Sequence, residues 1–331
     1  MRYDDFRRSD DIDDRRDDSG GGMGGGGGFG LPMGGGGLGI GTIIVLGLVG
    51  YAFGIDPRIL IGGAEILTGG NQAPTYQTDR RSGPAKTGAP KDEVGSMIAG
   101  ILGELDDRWS EIFQASGQNY TGPRIVLFRN ATNGGRCGMA QSAMGPFYCP
   151  PDRQIFLDTG FFRQVETRFR GCSGNACKFT AAYIIAHEAG HHIQNLLGIL
   201  PRVQRLQQQA GSKAEANALQ VKVELQADCL SGVWVNREEK KRPGFIEPGD
   251  IDAALRTATA IGDDTLQRQT QGRVVPDSFT HGSAAQRPTI GIAKKTHQSP
   301  TFGNDTDYES KYRGARYSLS FPNDSEKAGN S

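Results

Sequence analysis

Apolar residues recur at helical spacing in several long stretches of this chain. Between Asp92 and Ser116 they fall at Val94, Ile98, Ile101, Leu102, Leu105, Trp109 and Ile112, one face of an amphipathic helix. Phe179 to Gly198 repeats the pattern, with Ile184, Ile185, Ile193 and Leu196 around a polar cluster. Ala214 to Arg237 reads as a second long helix, and Glu247 to Gln269 as another, opened by Pro248-Gly249-Asp250. Gly160 to Arg170 is a shorter helical candidate. Arg124-Ile-Val-Leu-Phe128 and Gln154-Ile-Phe-Leu-Asp158 are short apolar runs of strand type. The pattern predicts an α+β domain, mostly helical with a small sheet, over residues 92–292. Residues 293–331 read as a polar C-terminal tail.

Upstream the pattern changes. Residues 1–35 are charged and then glycine-rich, with too little apolar surface to offset ordering entropy, so they are expected to be a disordered tail. Residues 36–55, Gly36 to Ile55, carry no charge and have about the length that crosses a bilayer. The tail before them is too long and acidic for a signal-peptide start, which predicts one uncleaved transmembrane signal anchor. A buried glycine-rich helix is the competing reading. Arg2, Arg7, Arg8, Arg15 and Arg16 precede the run and only Arg58 follows closely. That asymmetry predicts a single-pass protein with a cytoplasmic N-terminus and a periplasmic or otherwise extracytoplasmic domain. Residues 56–91 mix Gly, Pro, Thr and Gln and read as a linker.

The chain has 331 residues with 37 basic and 37 acidic side chains, a formal charge of zero. No basic excess suggests nucleic acid binding. Its five cysteines include two local pairs, Cys137 with Cys149 and Cys172 with Cys177, each flanking a loop rich in Gly, Pro or Ser. Outside the cytoplasm these are expected as disulfides, and no C-x-x-C spacing favours a structural zinc site instead. Cys229 is left as a buried free thiol.

The polar cluster is His187-Glu188-Ala189-Gly190-His191, an H-E-x-x-H pattern. On a helix, His187 and His191 stand one turn apart on one face, where they can bind one zinc ion. Glu188 lies beside them, placed to take a proton from a water on that metal. A hydrolytic zinc site needs a third protein ligand, which here is His281, His297 or a carboxylate. Glu224 and Asp228 are also four residues apart, among Leu225, Cys229 and Trp234, and a carboxylate pair facing apolar packing is unusual without a cation. The economical reading makes Glu224 the third ligand and Asp228 the carboxylate that holds a ligand histidine by its other nitrogen.

His187-Glu-Ala-Gly-His-His192 and Glu224-Leu-Gln-Ala-Asp-Cys229 resemble the bacterial neutral zinc metallopeptidases, a membrane-anchored family whose metal site is similar to the gluzincins. Cys137-Gly-Met-Ala, Gly145-Pro-Phe-Tyr-Cys-Pro150 and His281-Gly-Ser-Ala-Ala-Gln-Arg287 extend the resemblance, which covers roughly Asp92 to Arg287. The family's aromatic-rich continuation and late cysteine have no counterpart after Arg287. The resemblance implies a zincin-like fold, one zinc ion, and a protein or peptide substrate cleaved with Glu188 as general base. It also marks His281, in a loop after the last ligand helix, as a donor to the oxygen that gains charge when the carbonyl is attacked. The plainer reading of His281 is a surface-loop histidine, and Tyr183 and Tyr148 are weaker candidates for the same role. The rival function is a zincin-fold binding or scaffolding protein in the cell envelope.

Overall fold

The computed structural model describes residues 1–17, 86–167 and 170–287. The segment expected to cross a membrane, 36–55, and the C-terminal tail lie outside the described residues. None of the described helices is long and apolar enough to cross a membrane.

The first strong helix is α1, Glu93–Ala115. Asp92 caps it by accepting a hydrogen bond from the Gly95 amide, which satisfies one of the unpaired donors of the first turn. Ile98, Ile101, Leu102, Leu105 and Trp109 are buried as the spacing predicts, while Val94, in the exposed first turn, is not.

The sheet has the order β2-β1-β3-β7-β6, with β1 at Ile12–Asp14, β2 at Lys86–Thr87, β3 at Arg124–Phe128, β6 at Phe147–Cys149 and β7 at Gln154–Asp158. β1, β3 and β7 are parallel, and β2 and β6 run antiparallel at the edges. Both expected strands, β3 and β7, have the anticipated bounds. Their unbroken apolar character follows from burial on both faces. Ile125, Leu127, Ile155 and Leu157 join the main core, while Val126, Phe128 and Phe156 pack on the far side with Ala140 and Cys149. That far side is covered by a hairpin, β4 (Ala131–Asn133) and β5 (Met139–Gln141), pinned by the Cys137–Cys149 disulfide.

Residues 1–17 correct the expected disordered tail. Met1, Phe6 and Ile12 are buried, and β1 sits inside the sheet with Ile12 opposite Ile125. The charges that suggested solvation are paired instead: Arg7 with Asp107, Arg15 with Asp13, and Arg16 with both Asp14 and Asp92. The hydrogen bond from Arg16 pulls the Asp92 carboxyl down to about 2. β2 likewise lies within the stretch read as a linker.

After β7 come α2 (Phe161–Thr167), α3 (Ala176–Leu196), α4 (Ile199–Gln209), α5 (Lys213–Lys241), α6 (Asp250–Ala260) and α7 (Asp263–Gln271). The Cys172–Cys177 disulfide closes the turn that leads into α3. The single helix expected over Glu247 to Gln269 is divided at Ile261–Gly262. A Cβ on Gly262 would lie 2.4 Å from the Ala284 amide nitrogen, so a later loop crosses against the chain at the break. α3 is the central helix and packs on α5, α6, α1 and β6.

Candidate metal centre

α3 and α5 touch where α3 has Gly190. A Cβ there would stand 3.0 Å from the Ala227 carbonyl oxygen, so the glycine permits the close approach. Glu224 and Asp228 lie on the turns of α5 on either side of Ala227, opposite His187 and His191. His187 Nε2 is 3.2 Å from Glu224 Oε2, and His191 Nε2 is 3.6 Å from the same oxygen. All three side chains are largely withdrawn from solvent.

The other ring nitrogens fix how the histidines face. His187 Nδ1 is 2.8 Å from Asp228 Oδ1, and His191 Nδ1 is 2.9 Å from Gln194 Oε1. Both partners accept, so each Nδ1 donates and each Nε2 lone pair is left for a cation. The donor set, two imidazole nitrogens and one carboxylate oxygen, is one that zinc takes. The separations match the roughly 3.3 Å between neighbouring ligand atoms on a tetrahedron with 2.0–2.1 Å bonds. His187, His191 and Glu224 therefore fit one ion, with their ligand atoms within 4.8 Å of one another.

The electrostatics agree with a cation site. Burial disfavours a charged His187, but Asp228, Glu224 and Glu188 outweigh it and raise the imidazole to about 10. Glu224 is likewise held well below the ordinary carboxylate range, because His191 and His187 outweigh the cost of its burial. A metal would replace those protons.

Around this centre are groups that spacing alone did not single out. Asp228 is fully buried and accepts from Tyr183 Oη at 2.6 Å and from the Arg287 guanidinium at 3.0 and 3.1 Å. Its burial penalty is outweighed by Arg287 and His187, which keep it ionised. Gln220 donates to Glu224 Oε1 at 2.9 Å, and Gln194 donates onward to the Val223 carbonyl at 2.8 Å. Tyr183, His187 and His191 recur every four residues on α3, and Gln220 is four before Glu224, so helical spacing could have found these. Nothing local could have found Arg287.

His281 is exposed, in the loop after α7. Asp263 Oδ2 accepts from the Thr280, His281 and Gly282 amides at 2.6, 2.6 and 3.0 Å, and Oδ1 lies 3.3 Å from His281 Nδ1. The weaker candidates are committed elsewhere. Tyr183 serves Asp228. Tyr148 Oη donates to His192 Nδ1 at 2.9 Å and accepts from Asn195, because His192 Nε2 donates to the Thr121 carbonyl. His297, the remaining histidine considered as a ligand, lies outside the described residues. Glu188 is 8% exposed on α3 beside His187.

A mostly helical α+β domain with two histidines on one helix and a glutamate on a later one defines the class: a metallopeptidase-like protein with a candidate zinc site. The chain belongs to the family described as "Putative neutral zinc metallopeptidase", which it matches over residues 1–296. It is 44% identical to the uncharacterized protein YpfJ of Escherichia coli (strain K12) over 287 residues, 87% of this chain and 92% of that protein. It is 38% identical to the uncharacterized protein Rv2575 of Mycobacterium tuberculosis (strain ATCC 25618 / H37Rv) over 243 residues, 71% and 77% of the two chains. No solved structure matches.

Proposed function

We propose that the protein is a peptidase that works with one zinc ion held by His187, His191 and Glu224. The observation that carries this reading is the convergence of those three ligand atoms with Glu188 beside them. When bound, zinc supplies Lewis acidity to a water molecule and to a peptide carbonyl. Glu188 takes the proton of the attacking water and passes it to the leaving amine. Asp228, itself fixed by Tyr183 and Arg287, keeps the hydrogen of His187 on Nδ1 and so aims Nε2 at the ion. Gln194 does the same for His191. His281, held through its backbone and ring by Asp263, donates to the carbonyl oxygen as it gains charge.

In this reading the domain lies outside the cytoplasm. Its two disulfides support that compartment, since such bonds persist where thiols are oxidised.

Glu188→Gln is expected to cut cleavage of unfolded casein more than about a hundredfold while zinc stays bound, because the base is lost and the ligands remain. Full activity at full zinc occupancy would end the assignment. Glu224→Ala is expected to lower zinc content by metal analysis. Unchanged stoichiometry would remove Glu224 from the ligand set.

A further inference from the structure

We infer that Met1–Asp17 and the metal-site domain are one folded unit in one compartment. β1 lies between β2 and β3, with Asp13 opposite both Thr87 and Val126. Hydrogen-bonded strands stand about 4.8 Å apart, whereas a bilayer core is about 30 Å thick. A single crossing between Asp17 and Lys86 would put β1 on one side and both of its neighbours on the other.

The seat for the segment is built into α1. Gly103 faces the Arg7 carbonyl so closely that a Cβ would come within 1.8 Å of its oxygen, and a Cβ on Gly100 would lie 3.0 Å from the Phe6 side chain. Glycine inside a helix costs about 1 kcal/mol relative to alanine, so two within one turn need a reason, and the docked segment is that reason. The Ser9 amide donates to the Ala99 carbonyl at 2.9 Å, and the Arg7 amide to Glu104 Oε1 at 3.0 Å. Glu104 also binds Arg242, the residue that ends α5, and Phe6 packs on Phe245 just beyond it. The segment is therefore tied to the helix that carries Glu224.

This changes the meaning of the arginine asymmetry. The count that favours a cytoplasmic N-terminus treats these arginines as free positive charge facing lipid headgroups. Arg7, Arg15 and Arg16 are instead ion-paired, and Arg2 donates to the Gly244 and Pro243 carbonyls.

The test uses the full-length chain in intact spheroplasts, in a Cys229→Ala background, with a membrane-impermeant maleimide and labelling read at each site by mass spectrometry. Arg8→Cys and Gln208→Cys, both exposed and one in each part, are expected to behave alike: both labelled, or both protected until the cells are permeabilised. Labelling of one with protection of the other overturns the inference. Protection of both supports it but defeats the extracytoplasmic placement proposed above, so the two readings fail separately. Ser9→Cys, at a buried position, is expected to label at least about tenfold more slowly than Arg8→Cys, since it reacts only on local opening. Equal rates would show that the segment is not docked.

Discussion

His281 shows how much chemistry one hydrogen bond can settle. Its Nδ1 faces the Asp263 carboxylate and so carries a hydrogen, which leaves Nε2 with one only while the ring is cationic. The side chain is half exposed, yet desolvation by the loop packed around it lowers its affinity for that proton, and Arg287 opposes it. Asp263 and the charge of Glu224 outweigh both, so the pKa lies above the ordinary 6.5. The donor is therefore present below that raised pKa and lost as pH rises through it. The kcat profile is expected to fall on its alkaline side, and Asp263→Asn to move that fall to lower pH. His281→Ala should cut kcat by about a hundredfold and abolish the limb. An alkaline limb that survives in His281→Ala belongs to another group. At this scale the sequence was most informative where partners share a helix. His187, Glu188, His191, Glu224 and Asp228 are all readable from spacings of four or less. Asp263 and Arg287 act on residues 18 and 59 positions away, and no periodicity encodes such pairings.

Helices α3 and α5 approach closely where Gly190 meets Ala227. Gly190→Val would push the helices apart. It is expected to cost about 1–3 kcal/mol by overpacking, read as a lower Tm, and to weaken zinc binding in a chelator competition. Unchanged Tm and zinc affinity would mean that the helices do not approach as described. The element pattern was largely legible: α1, α3, α5, β3 and β7 follow directly from apolar periodicity. The division between α6 and α7 was not, because Gly262 is there to admit a loop some twenty residues later. β1 was missed because only Ile12 in it is apolar and its aspartates are paired with arginines.

Across the whole molecule, charge is buried where segments join. Asp106, on α1 and bonded to Tyr120 Oη at 3.2 Å, is pushed up to about 7. Burial is the main cause, reinforced by Asp11 and Asp107 and opposed by Tyr120 and Arg7. The folded state then holds a proton that the unfolded state has released. Stability should fall as pH rises from about the ordinary 3.8 to about 7. Asp106→Asn keeps a partner for Tyr120 and removes this penalty. The variant is expected to be more stable than the parent at pH 8, by about 1 kcal/mol or more, and to gain nothing near pH 4. Denaturant midpoints at the two pH values check this. An equal gain at both would exclude proton linkage as the cause.

The place of β1 in the sheet also has a consequence in time. Synthesis produces Ile12–Asp14 early, yet its parallel partner Arg124–Phe128 comes more than a hundred residues later. Even its antiparallel neighbour, Lys86–Thr87, comes about seventy residues after it, and closing so long a loop is slow on the scale of local helix formation. The strand must stay soluble while it waits, and its run of aspartates and arginines meets that need before the same charges find one another in the finished fold.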